Sequence, residues 1–464
     1  MKSPSLLSLL IALLIPFILR AQPNIADLQS AEEIAFVNVN VLPMTGDQIL
    51  QNQTVIVKNG KIVQIGNSKS IKPSKNALKI SAKGKFLMPG LSEMHAHIPV
   101  AQNNNDSNVR ETLFLYLSNG VTTIRGMLGN PYHLQLREQT MKNEVLSPRI
   151  FTSSPSLNGN TVPTKEEARA KVTQYKKDGY DFLKIHPGIQ LDVFEELVRT
   201  AREVGITFSG HVPVAVGVRR AIDFKYASID HLDGYVEGLV PASANVDPST
   251  GGLFGYNFTN QTDANLIPEL IQKTKEKNIW VVPTQALLER WTSPKSGEEI
   301  VQEPEMQYMN PSVRYQWRGS KQQILSNNYS AETAKKFIDI RRKFLKGMLD
   351  AGVGLLLGSD APQVYNVPGF SIQHEMKSMV DAGISNYEVL RSGTVNPAKF
   401  FGMEGQFGVV REGAAAELIL LDANPLENIG NVKKLNGVLI QGKWMSKKLI
   451  DEELKKIAKK YEKA

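Results

Sequence analysis

Residues 86–97 read FLMPGLSEMHAH: an apolar run, interrupted by Pro89 and Gly90, that ends in His95 and His97. A short run of this composition reads as a buried strand. In a strand, residues i and i+2 project to the same face, so Glu93, His95 and His97 belong to one face at the strand's end. Two imidazoles on one face suit Zn²⁺ or a similar divalent ion. A strand-end histidine standing alone is more often a satisfied polar residue. The decision therefore rests on what the rest of the chain places at equivalent positions.

Runs of the same kind recur: GVTTIRGM from 120, RIFTSSPSLNG from 149, YDFLKIHPG from 180, ITFSGHVPV from 206, YASIDHLDG from 226, IWVVPTQAL from 279 and VGLLLGSDAP from 353. Helical patterns such as TKEEARAKVTQYKKDG and DVFEELVRTAREVG separate most of them. Eight strand–helix units over residues 88–401 predict an α/β fold of the (β/α)8 TIM-barrel type. Short alternating segments with turn signals at Asn59-Gly60 and Thr45-Gly46 fill the region before the barrel, and similar segments follow it. They predict a small β-sandwich domain formed from residues 22–87 and 402–447. Residues 448–464, KLIDEELKKIAKKYEKA, read as a charged, solvated C-terminal helix. The longest interruption, near residues 290–345, falls between the seventh and eighth runs and is expected to act as a lid or specificity element at the barrel mouth.

With 464 residues, 42% hydrophobic and 22% charged, the chain is that of a folded protein rather than a disordered one. Its opening, MKSPSLLSLLIALLIPFILRAQ, has the form of a secretory signal peptide over residues 1–21, with cleavage after Ala21. The apolar part is about fourteen residues long, short of the ~20 that a membrane span needs. An exported protein, periplasmic or extracellular, with no stable membrane span after cleavage is the expectation. The net charge of +8 becomes +6 without Lys2 and Arg20, and it is too diffuse to predict a nucleic-acid partner. The absence of cysteine excludes disulfides, thiolate metal sites and a cysteine nucleophile. No phosphate-binding glycine loop suggests a nucleotide enzyme.

Of seven histidines, five lie at or just past predicted strand ends: His95, His97, His186, His211 and His231. Asp360 closes the eighth run. Lys184 lies inside the fourth, where a lysine is costly unless paired or modified. The set His95, His97, Lys184, His211, His231 and Asp360 resembles the amidohydrolase superfamily, and within it the imidazolonepropionase-like and Xaa-Pro dipeptidase-like branch. FLMPGLSEMHAH and LLLGSDAP are similar to that family's first and eighth strands, and the likeness runs from about residue 33 to 447.

The resemblance implies two divalent metal ions, with Zn²⁺ expected first and Mn²⁺, Co²⁺ and Fe²⁺ open. His95, His97 and Asp360 would hold the more buried ion and His211 and His231 the second. Lys184, carrying a CO2-derived carbamate, would bridge them. It further implies hydrolysis of an amide or peptide-like C–N bond by metal-activated hydroxide, with Asp360 as acid and base and Lys184 and His231 in the catalytic set. The substrate would be a small molecule or short peptide, including Xaa-Pro dipeptides, or alternatively a cyclic amide of the imidazolone kind. Tyr235, four residues past His231, is a candidate to hold the substrate carbonyl. Arg125 is a candidate for a substrate carboxylate, and His186 a candidate to face the same cavity. Each of the three has an ordinary packing alternative. Arg290 is a further candidate, for selecting the leaving group. The dipeptidases of the family carry glycine-rich text after the third strand, whereas this chain reads SPSLNGNTVPT, which leaves the substrate open. A non-catalytic metal-bearing binding protein is the alternative of another class. Homo-oligomerisation is left open.

Overall fold

The computed structural model describes residues 28–103, 105–326 and 329–462. The leader read over residues 1–21 lies outside them. Among the described residues, no helix is long and apolar enough to cross a membrane.

Seven parallel strands stand side by side in chain order: Leu91–Ala96, Val121–Gly126, Arg149–Leu157, Phe182–Ile185, Phe208–Gly210, Ser228–Asp230 and Trp280–Val282. Their near-continuous burial explains why they read as apolar runs rather than alternating ones, since helices cover the outside and side chains fill the inside. The eighth run closes the ring through isolated bridges, Leu355 to Val281 and Ala361 to Ala96. Its backbone bonds continue the ladder, with Met94 N donating to Leu357 O at 2.9 Å and Asp360 N to His95 O at 3.0 Å. Gly358 permits this approach. A Cβ there would stand 2.9 Å from His95 N and 2.5 Å from Val282 Cγ1.

The outer helices follow from amphipathic spacing and end signals. In Leu191–Val204 the buried Val193, Phe194, Leu197, Val198 and Ala201 form one stripe, and Gly205 in the left-handed region stops the helix. Thr164 caps Lys165–Asp178 by accepting from Glu167 N.

The accessory strands form one eight-stranded sheet rather than two facing ones. Glu33–Val41 pairs with Leu50–Lys58 on one side and with Phe86–Pro89 on the other, and Leu418–Leu421 continues the order to Leu435–Ile440 and Lys443–Ser446. Lys61–Asn67 bridges to Ala415, so the sheet curls round its own apolar filling of Phe36, Val55, Leu420 and Trp444. The Phe36 and Trp444 rings, 5.4 Å apart and edge to face, join the N- and C-terminal segments.

The opening stretch belongs to both sheets. Phe86–Pro89 is a strand of the accessory sheet, and Leu91–Ala96 is the first barrel strand. The break falls at Gly90, where a Cβ would meet Thr122 Oγ1 at 2.2 Å. The C-terminal helix Lys447–Glu462 is docked rather than solvated. It buries Ile450, Ile457 and Tyr461, and the Tyr461 hydroxyl donates to Glu111 of the first barrel helix at 2.6 Å.

Candidate metal centre

His95 and His97 leave the first strand toward the mouth, as the i, i+2 rule requires. His97 Nε2 lies 2.7 Å from Asp360 Oδ1, and His95 Nε2 lies 3.5 Å from the same oxygen. These three residues present ligand atoms within 4.8 Å of one another. The opposite nitrogen of His95, Nδ1, stands 2.9 Å from Asp230 Oδ2. Asp230 is in turn held by Arg125, whose Nη2 donates to both carboxylate oxygens at 3.1 and 3.0 Å, and by Ser228 Oγ at 2.7 Å. The approach of Asp230 to His95 is close but not a hydrogen bond, since His95 Nδ1 has no hydrogen-bond partner.

His211 and His231 stand alongside, their rings stacked with centroids 4.6 Å apart. The His231 ring is 4.4 Å from that of His95. Each has its Nδ1 bonded: His211 to Asp233 Oδ2 at 2.9 Å, and His231 to Thr284 Oγ1 at 2.8 Å. Arg341, on the helix Ala331–Ala351, donates to the His231 carbonyl at 2.7 Å and to the Pro283 carbonyl at 2.9 Å. The backbones of His231, Thr284 and Asp360 take φ values of 64°, 44° and 65°. Non-glycine residues pay roughly 1–2 kcal/mol each for that region, and such strain collects at functional sites.

The charges suit a cation. Burial, and next to it the neighbouring Lys184, lowers His211 to about 3. Burial first, with the neighbouring Lys184 and imidazoles after it, keeps His95 and His231 well below the usual imidazole value. All three are therefore neutral, the form that binds metal. Lys184 is 0% exposed, and its Nζ has no hydrogen-bond partner. Burial lowers it to about 8, against the pull of Asp230 and Asp360. A buried amine without a hydrogen-bond partner, beside these three imidazoles and the Asp360 carboxylate, fits a group that supplies positive charge and a modification that makes the lysine anionic.

Of the substrate candidates, only His186 joins this group. Its ring stacks on His211 at 5.1 Å, and its Nδ1 bonds Ser156 Oγ at 2.7 Å. Tyr235 is turned away: it is 0% exposed, its hydroxyl is bonded to Thr274 Oγ1 at 2.8 Å, and its ring lies against Phe344. It cannot hold a substrate carbonyl. Arg125 also lies out of substrate reach. Its guanidinium is buried between the Phe182 and Phe400 rings, and its donors are taken by Met94 O, Ser228 and Asp230. It positions Asp230 instead. Arg125→Met would leave Asp230 as an uncompensated buried charge and is expected to cost about 3 kcal/mol of stability, measured by urea unfolding. An unchanged midpoint would mean that Asp230 finds another counter-charge.

The interruption near 290–345 folds largely into helices, Gln285–Thr292, Gly297–Ile300, Pro311–Ser326 and Ala331–Ala351. Its Arg290 is tied to the Tyr365 carbonyl at 2.8 Å, to His374 Nε2 at 2.8 Å and to Glu303 and Glu305. The guanidinium thus occupies the other acid–histidine group of the described residues, Glu303, Glu305 and His374. The sequence reading missed Asp230, Asp233, Thr284 and Arg341. The acids flank His231 in SIDHLDG and were visible there, whereas Arg341 lies 110 positions from the carbonyl it grips and left no local signal.

A family model described as Amidohydrolase family matches residues 86–445. Among curated proteins, the chain is 22% identical over 430 residues to an ochratoxinase of Aspergillus niger, covering 84% of this chain and 81% of that one. It is 23% identical over 411 residues to an imidazolonepropionase of Idiomarina loihiensis, covering 82% and 90%. Among solved structures, a Xaa-Pro dipeptidase with bound methionine in the active site superposes with a TM-score of 0.64 at 18% identity, covering 89% of this chain and all of that one.

Proposed function

This chain belongs to the amidohydrolase family, and from that membership we propose that it cleaves an amide or peptide-like C–N bond at a centre of two divalent ions, Zn²⁺ first among them. It is a hydrolase acting on carbon–nitrogen bonds. The observation that carries the finer reading is the buried Nζ of Lys184, without a hydrogen-bond partner and close enough to act on His95, His211, His231 and Asp360. His95, His97 and Asp360 would hold one ion and His211 and His231 the other, with carbamylated Lys184 between them. Bound there, such ions lower the pKa of water and polarise a carbonyl.

The chain's own residues supply the rest. Asp233 and Thr284 hold the Nδ1 atoms of His211 and His231, and the Asp230 carboxylate stands 2.9 Å from that of His95. Asp360 turns Oδ1 toward His97 and His95, while Oδ2 lies 3.8 Å from His231 Nδ1. Oδ2 is free to accept the proton of the attacking water and return it to the leaving nitrogen as the C–N bond breaks. The substrate class extends to dipeptides ending in proline, with cyclic amides the second reading because a relative is named imidazolonepropionase. The apolar leader over residues 1–21 supports export to the periplasm or beyond.

The test is elemental mass spectrometry of the purified chain in bicarbonate buffer, followed by assays on Xaa-Pro dipeptides, N-acyl amino acids and cyclic amides. The expected result is about two divalent ions per chain, as in two-metal sites, with hydrolysis of at least one class. A chain that retains no metal after reloading and cleaves nothing would overturn the reading.

A further inference from the structure

After the sixth strand the chain runs from His231 to the helix Ile267–Glu276 through a long loop that contains GGLFGYNF, residues 251–258. Phe254 at its centre has φ 49° and ψ 40°, a conformation that a bulky side chain rarely adopts. Its neighbours make this turn available. Gly252 and Gly255 both have positive φ, and a Cβ on Gly255 would stand 2.8 Å from Glu237 Cδ. The loop is anchored on both sides of the turn. Asn257 N donates to Gly251 O at 2.9 Å, and the Tyr256 ring packs edge to face on Phe337 of the helix Ala331–Ala351.

The strained turn lays the Phe254 ring on two of the site imidazoles. It stacks on His211 with centroids 5.9 Å apart and planes 10° apart, and leans on His231 at 5.2 Å. Phe254 thus borders the site at His211 and His231. It also lines a cavity of about 700 Å³, together with His211, Val212, Val214 and Leu253 and with the charged Arg219, Arg220, Asp233 and Glu237 at its other parts. Val214 is 55% exposed and Leu253 39%. Val100 and Leu128, from the loops after the first and second strands, are exposed as well. Val214 and Leu253, apolar side chains left in water on the cavity that His211 lines, mark the binding of an apolar group.

We propose that the substrate carries a bulky apolar group, aromatic or branched aliphatic, beside the scissile C–N bond, and that Phe254 is the specificity-determining residue that receives it, with Val214 and Leu253 completing the groove. This rests on the hydrolytic reading above.

The test uses the metal-loaded protein and two matched sets of substrates, with hydrogen, methyl or benzyl on the acyl side in one and on the amine side in the other. Non-hydrolysable phosphonamidates bearing the same groups serve as binding probes. In one set the benzyl member should be favoured at least ~10-fold in kcat/KM and in affinity, the range that a hydrophobic pocket supplies. Phe254→Ala should cut that preference at least ~5-fold. Val214→Ser combined with Leu253→Ser, both at exposed positions, should erode it in the same direction. Hydrolysis with flat selectivity in both sets, or a preference untouched by either variant, overturns the inference and leaves the hydrolytic reading standing. Neither hydrolysis nor phosphonamidate binding by any member would bring down the hydrolytic reading, and this inference with it.

Discussion

Lys184→Met will lose bound metal and hydrolysis together while the protein stays folded. The amine it removes is fully buried and has no partner, an arrangement that costs free energy in the metal-free chain. An unbranched apolar side chain in that place should raise the stability of the metal-free protein by about 1–3 kcal/mol. A lysine that served only packing would therefore be dispensable. If it instead bridges two ions as a carbamate, neither methionine nor alanine can replace it. Metal content should fall from about two ions to one or none, and kcat/KM by on the order of 10³-fold or more. Both readouts come from one preparation, by elemental analysis and steady-state assay. A Lys184→Met or Lys184→Ala protein that keeps two ions and full turnover would remove Lys184 from the centre.

Asp360→Asn should lower kcat by on the order of 10²–10⁴-fold, the range for a lost acid and base, with KM little changed. The substitution suits the question because asparagine tolerates the left-handed backbone that Asp360 adopts at φ 65°. The surrounding frame does not depend on the carboxylate. Asp360 N bonds His95 O at 3.0 Å, and the preceding residue, Ser359, is held by the Glu93 carboxylate, which accepts from Ser359 N at 2.7 Å and from its hydroxyl. The amide oxygen can still face His97, so at least one ion should remain. Retained metal with collapsed turnover separates proton transfer from metal binding. Near-normal turnover would place the proton chemistry on another group.

The residues that organise these expectations were not equally visible from the sequence. His95 and His97 were, because the two-residue repeat of a strand is local and one apolar run suffices to show it. The alternation of runs and helical patterns gave the barrel for the same reason, and Asn59-Gly60 gave the hairpin, each with positive φ as that turn requires. Lys184 stood out because a charge in a buried run is an anomaly wherever it occurs. Asp233 could have been found from its place beside His231, but only the structure shows it reaching His211.

By itself, then, the sequence determined what is periodic or anomalous over a few residues: the strand–helix order, the strand ends, the histidines and aspartate placed there and the buried lysine. Tertiary structure decided what each side chain faces. Tyr235 turned out to sit against Thr274 of a helix 39 positions on, with its ring on Phe344. Arg125 found Asp230 across the barrel, 105 positions away, and Arg341 reached the His231 carbonyl from a helix 110 positions on. The tail helix docked on Glu111 when its pattern allowed a solvated one. The physical reason is the same throughout. Local spacing follows from backbone geometry that every segment carries with it, whereas a buried polar group takes whichever partner the packed chain brings within reach, and that choice is made only when distant segments meet.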